Sequence, residues 1–177
     1  MASVVFLRGV NVGRHKRCQP ALIAKELAKL DIVNIGAVGT FVVRENVNEV
    51  ALRTIIARKL PFQCGIMICS ASDIIKLVAK NPFAGHPSGP DIVRFLNVLG
   101  KRPRTASPLP FSLPSEEDWH LKIVAIEKKF VLGLYRRQMK AISYLGKLEK
   151  LLGVPVTNRN WNTIEKVASV LTRDSQD

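Results

Sequence analysis

A chain of 177 residues, 47% hydrophobic and 23% charged, is long enough to bury a real core, as one domain or two small ones. Its net charge of +13, from 27 Lys and Arg against 14 Asp and Glu, attracts polyanions and opposes self-association without dictating a fold. The longest apolar runs span only a few residues against the ~20 that a bilayer needs, and nothing basic precedes the first of them, so neither a membrane span nor a secretory leader is expected. Val4 to Leu7 is β-branched and aromatic and reads as a strand. Pro20 to Leu30 turns helical, with Leu22, Ile23, Leu27 and Leu30 on one face and Pro20 in the first turn. Ile32 to Arg44 reads as two strands bent near Gly36 and Gly39. Asn46 is the expected cap of a helix whose apolar face holds Val47, Val50, Ile55 and Leu60. Gln63 to Cys69, apolar on both faces, reads as a central strand. This β-α-β-β-α-β order over residues 1–80 is that of a ferredoxin-like subdomain.

Ser72 then reads as the cap of a short helix ending at Ala79, and the Pro- and Gly-rich stretch Asn81 to Pro90 as a boundary. A second α+β subdomain, irregular and loosely repeating the first plan, is expected over residues 91–171. It holds a strand from Ile92 to Leu99 and a proline-rich loop from Lys101 to Pro114. Ser115 and the acids Glu116 to Asp118 form a cap or a polar turn. Leu121 to Ile126 and Phe130 to Leu134 pair as a hairpin. An amphipathic helix over Ala141 to Leu152 stops at Gly153, and a last helix covers Thr163 to Leu171. The fold class is therefore α+β, a ferredoxin-like subdomain followed by an irregular one on a loosely similar plan.

Three cysteines, Cys18, Cys64 and Cys69, make an odd number without metal-ligand spacing, which favours reduced thiols in a cytoplasmic setting. His15, His86 and His120 are scattered, and no metal site is expected. No nucleophile elbow, Walker loop or dinucleotide fingerprint is present, so no catalytic residue and no cofactor are assigned. The charge sharpens at Arg14 to Arg17, Lys101 to Arg104 and Arg136 to Lys140, which are either convergent anion-binding patches or wet surface.

Two segments carry the candidate site. The first strand runs into Arg8-Gly9-Val10-Asn11-Val12-Gly13, a glycine-bearing loop that offers backbone N–H groups to an anion, with Arg8 as a fork for phosphate or carboxylate. The bland alternative is that Gly9 and Gly13 only permit tight turns and Arg8 pairs internally. Arg159, Asn160, Trp161 and Asn162 precede the last helix and supply donors at a helix start. Alternatively, the amides only cap that helix and Trp161 is core. Few aromatics and no RNP-like string argue against sequence-specific RNA reading.

With these blocks in view, the chain resembles the DUF1697 family, small bacterial proteins without an established function. The resemblance rests on Leu7-Arg8-Gly9-Val10-Asn11-Val12-Gly13, Asn81-Pro82-Phe83, Glu149 to Gly153 and Thr157-Asn158-Arg159-Asn160-Trp161-Asn162-Thr163. It implies two ferredoxin-like subdomains. Where the family usually has Gln-Ser-Gly-Asn, this chain has Ala37-Val38-Gly39-Thr40. It has Arg14 where a further glycine is common, and Ala141-Ile142-Ser143 near a usual Ser-Lys-Leu string.

Three functions fit these residues. One is a binding protein for a phosphate-containing ligand or nucleic acid, with no membrane partner. The others are an enzyme on a small anionic substrate and a structural or protein-interaction module. The oligomeric state is not written in the sequence.

Overall fold

The first strand, β1 (Ser3–Leu7), is central because both of its flanks are paired: with β3 (Thr40–Val43) on one side and β4 (Ile66–Ser70) on the other, both antiparallel. This computed structural model describes residues 1–103 and 111–173. β2 (Ile32–Ile35) completes an antiparallel sheet in the order β2-β3-β1-β4. Strands β1 and β2 are joined by α1 (Pro20–Glu26) and a 3-10 turn at Ala28–Leu30; β3 and β4 are joined by α2 (Glu49–Lys59). Both helices pack on one face. Ile23, Ala24 and Leu27 meet Leu52 and Ile56 over Val5, Leu7, Phe41, Val43, Ile66 and Ile68. Fully burying each of these larger side chains contributes roughly 1.5–3 kcal/mol.

The helix caps differ from the sequence reading by two residues. Asn48, not Asn46, caps α2, with its side chain accepting from the N–H groups of Val50 and Ala51 at 2.8 and 3.3 Å. The shift rotates the buried face onto Leu52 and Ile56 and leaves Val50 exposed. Ser70, not Ser72, caps α3 (Ala71–Ala79) by accepting from the Asp73 N–H at 3.2 Å. In both cases an alternative polar residue stood close by, and the registry that buries the apolar face decided between them.

Two compact units are present. One comprises residues 1–80 together with the chain from Asn162 onward; the other is Asn81–Trp161. The last helix, α5 (Trp161–Arg173), thus groups from Asn162 onward with the first unit, although its place in the sequence put it in the 91–171 subdomain. The Pro- and Gly-rich stretch after Lys80 is part of the second unit, with Phe83 buried.

The second unit is built on β5 (Ile92–Leu99), β6 (Phe111–Pro114), β7 (Trp119–Glu127), β8 (Phe130–Arg136) and β9 (Val156–Asn160), in the order β6-β7-β8-β5-β9. β6 takes part of what reads as loop in the sequence. Of the rest of that predicted loop, residues 104–110 lie outside the described residues. All pairings are antiparallel, so the molecule is a mixed α+β protein with two antiparallel sheets. With β5, β7, β8 and β9 counted one to four in chain order, the sheet without β6 runs second, third, first, fourth, the order also found in the first unit. β6 is an added edge strand. α4 (Met139–Leu152) places Leu148 and Leu152 on a core of Phe95, Leu99, Leu121, Ile123 and Val131, and ends at Gly153 with φ 65°.

Gly133 shows how tightly this core is built. It pairs with Phe95 across β8–β5, and an added Cβ would lie 2.6 Å from the Phe95 ring and 2.7 Å from the Lys122 carbonyl oxygen. The ring lies over the bare backbone, and the carbonyl belongs to a strand that cannot retreat. Gly133→Ala is expected to cost about 1–3 kcal/mol by overpacking, read as a lower urea midpoint with unchanged slope.

Candidate functional site

The glycine-bearing loop begins where β1 ends. The Leu7 N–H donates to the Gly39 carbonyl and the Arg8 N–H to the Gly65 carbonyl, each at 2.8 Å. Beyond Arg8 the chain makes a series of left-handed residues: Gly9 (φ 68°), Asn11 (56°), Gly13 (67°) and Lys16 (49°). Glycine adopts this region freely and Asn more readily than most residues, so the sequence permits the loop's tight path.

Asn11 holds the loop together. Its N–H reaches the Lys16 carbonyl at 3.1 Å. Its side-chain oxygen accepts from the Cys18 N–H at 2.9 Å, while its Nδ2 donates to the carbonyls of Cys18 at 2.9 Å and Ala37 at 2.6 Å. One amide therefore ties the loop's return to the turn between β2 and β3. Arg17 closes the tip, with Nη1 donating to the Gly13 carbonyl at 3.0 Å, and Val10 is buried beneath.

Beside this frame lies an open recess of about 530 Å³ lined by Asn11, Arg17, Cys18, Gln19 and Ala37. Arg14, His15, Lys16 and Arg17 are all exposed around the loop. Of the expected residues, Asn11 lines the recess and Gly9 and Gly13 shape its loop. Arg17, Cys18, Gln19 and Ala37 do not belong to the site read from sequence. The available signal was the spacing of Gly36 and Gly39, which marks a hairpin turn whose carbonyls come within reach of the end of β1.

Cys18 and Cys64 share one environment here. Both pack against the first unit's core. Burial pushes each thiol above its ordinary pKa. Cys64 raises Cys18 further, while Lys16 and the Arg8 backbone N–H pull Cys64 the other way without outweighing burial.

The tail segment is built differently. Thr157 to Asn160 is not a loop before a helix but most of β9, and side chains alternate across it. Thr157 and Arg159 are buried; Asn158 and Asn160 are exposed. Arg159 Nη1 donates to Thr157 Oγ1 at 3.0 Å and to the Asn158 carbonyl at 2.8 Å. Desolvation pulls its pKa down to about 10, so it stays charged at neutral pH. Asn158 donates to Asn97 Oδ1 at 2.9 Å across the β5–β9 pair. α5 then starts at Trp161, two residues before its expected start. Trp161 is 3% exposed and meets Phe83 edge-on at 5.0 Å, with the Arg94 guanidinium over the Phe83 ring at 5.8 Å. Arg159 and Trp161 are thus packed side chains of the second unit, whereas Arg8, Gly9, Asn11 and Gly13 belong to the first, as does Asn162.

The basic clusters of the second unit lie apart. Arg136 pairs with Ile92 at the start of β5, whereas Lys101 and Arg102 follow its end. Seven residue steps along β5 separate those ends by about 23 Å. Arg136 is also engaged, over the Trp119 ring at 4.2 Å with Nε donating to the Trp119 carbonyl at 2.9 Å. Arg137 Nε donates to the Pro90 carbonyl at 2.9 Å. Arg104 lies outside the described residues.

Among the described residues no group of three or more His, Cys, Asp or Glu is arranged to hold a metal ion, and no helix is long and apolar enough to cross a membrane.

A family model described as "Protein of unknown function (DUF1697)" matches residues 1–108. A solved structure, that of the conserved bacterial protein SP0830 from Streptococcus pneumoniae, aligns with a TM-score of 0.56 and 17% identity, covering 97% of this chain and 98% of that one. That likeness is one of fold. Among curated proteins nothing matches.

Proposed function

Because this chain belongs to the DUF1697 family of unknown function, we propose a function from its own residues: it binds a small phosphate-bearing anion in the recess beside the Arg8–Arg17 loop. The observation that carries this reading is the recess itself, about 530 Å³, with Arg17 on its wall and Asn11 fixed in its frame. That volume falls in the range of small-ligand sites. Among the described residues, Arg17 commits one donor to shaping the loop, Nη1 to the Gly13 carbonyl. The rest of the fork suits a phosphate or carboxylate. The exposed charge from Arg14 to Arg17 raises the local anion concentration.

Binding is favoured over catalysis because Cys18, the thiol on the recess wall, is held protonated by burial. A nucleophilic cysteine needs the opposite environment. A convergent nucleic-acid surface is disfavoured by the separation of the second unit's two basic clusters. Ala37, where the family usually carries Gln, lines the recess, so the change at that position alters the wall directly. The strand order β2-β3-β1-β4 supports reading the first unit as ferredoxin-like. The order β7-β8-β5-β9, with β6 added at the edge, supports reading the second unit as an irregular version of the same plan.

The test is calorimetric titration at low salt with inorganic phosphate and with adenosine monophosphate. Binding to the wild type is expected, and Arg17→Gln is expected to weaken it about 10-fold or more, the loss of a charge-assisted hydrogen bond. Lys101→Gln, in the other unit, is expected to change nothing. Absence of binding to either ligand removes the reading. Tight, steeply salt-dependent binding to a mixed oligonucleotide, weakened equally by both substitutions, replaces it with the nucleic-acid one.

A further inference from the structure

β2 is an edge strand: among the described residues it pairs with β3 and with no strand on its other side. Its register fixes which groups face outward. Asp31, just before β2, accepts the Arg44 N–H at 3.1 Å, which makes these two a hydrogen-bonded pair. Alternation then turns the backbone N–H and carbonyl groups of Val33 and Ile35 towards β3, and those of Ile32 and Asn34 onto the open edge. The same register sets Ile32 and Asn34 opposite Val43 and Phe41, so their side chains lie on the face that α1 covers.

A second recess, also of about 530 Å³, opens where α1 meets this edge. Ala21, Ala24 and Ala28 line its helical side, and their short side chains leave the space; Lys25 and Asn34 line it too. It shares no lining residue with the recess beside the Arg8–Arg17 loop. Asn34 is only half satisfied. Its Nδ2 donates to the Gly36 carbonyl at 2.9 Å, whereas its Oδ1 is buried and receives no hydrogen bond. A buried acceptor without a donor is costly and uncommon. This one stands beside outward-facing main-chain groups, so a single incoming strand satisfies both.

We infer that the β2 edge docks an extended, acidic segment of a partner polypeptide, which joins the sheet as a fifth strand and sets a hydroxyl-bearing side chain against Asn34 Oδ1. Main-chain bonds to Ile32 and Asn34 supply the affinity, and the recess selects the side chain. A serine or threonine opposite Asn34 brings the missing donor on a body small enough to lie against the alanines. The acidic character follows from charge. Lys25 stands on the wall, while Asp31, the acid there, is already paired with Arg44 at 3.2 Å. A second copy of this chain would bring its own +13 and be repelled.

The inference does not depend on anion binding. The full chain, labelled with nitrogen-15, is titrated with eight-residue peptides of alternating Thr and Val, one with Glu at both ends and one with Lys. The Glu-ended peptide is expected to bind and to slow hydrogen exchange at the Ile32 and Asn34 amides about 10-fold or more, with little change at Val33 and Ile35, which β3 already holds. Asn34→Val is expected to weaken that peptide about 10-fold. A Glu-ended peptide with Ala for each Thr reads the same contact on the unaltered protein and is expected to lose as much. Arg17→Gln, at the other recess, is expected to leave peptide binding nearly unchanged. No binding of the Glu-ended peptide, equal or tighter binding of the Lys-ended one, or protection at a different strand edge would each overturn the inference. So would a dimer of the protein alone that already protects Ile32 and Asn34.

Discussion

Trp161→Ala is expected to lower stability by about 3–5 kcal/mol, the usual cost of deleting a large buried aromatic. The side chain is 3% exposed and packs edge-on against Phe83 at 5.0 Å, in the geometry aromatic pairs favour. Deleting the indole removes that contact and leaves a hole beside Phe83, whose ring also carries Arg94. Phenylalanine restores part of the volume and the ring edge, so Trp161→Phe is expected to recover about half of the loss. Urea unfolding of the three proteins checks this. A Trp161→Ala protein as stable as wild type but unable to bind ligand would return Trp161 to the binding site and take it out of the packing.

The second large effect is at Asn11. Its side chain makes three hydrogen bonds, to the Cys18 N–H and to the carbonyls of Cys18 and Ala37, and its backbone sits at φ 56°. At about 1 kcal/mol per bond, with a further roughly 1 kcal/mol for an alanine forced into the left-handed region, Asn11→Ala is expected to cost about 3–4 kcal/mol. Asn11→Gly loses the same bonds but relaxes the backbone, so it should be about 1 kcal/mol better than alanine. Both variants should lose phosphate binding. Unfolding curves and titrations on the same preparations separate the two terms. Equal stability of the alanine and glycine variants would mean that the left-handed backbone costs nothing here.

The order of strands and helices was legible in the sequence because most elements carry strong local signals. β1 and β3 are β-branched runs, Pro20 opens α1, and Gly153 ends α4. The glycine in the Ala37–Thr40 string also has a local reason: at φ 77° any Cβ on Gly39 would lie 2.6 Å from Leu7. What local signals did not give is the choice among equivalents. Asn46 and Asn48 cap equally well until a face must be buried. Ser70 and Ser72 differ in the same way. The tail amides looked like a cap because Asn favours turns, yet pairing with β5 drew them into β9, where alternation hides Arg159 and exposes Asn160. The recess was illegible for a similar reason. Its wall joins residues 11, 17–19 and 37, which only the hairpin after β2 brings into register.

The division of the chain into residues 1–80 plus the segment from Asn162, with Asn81–Trp161 between, has a temporal consequence. On a ribosome the middle portion emerges whole while the flanking portion still lacks its final helix. Vectorial synthesis usually lets the leading part of a polypeptide mature first. Here the interior insert is the piece able to finish early, and the loop near the start waits for its complete scaffold until α5 has been made.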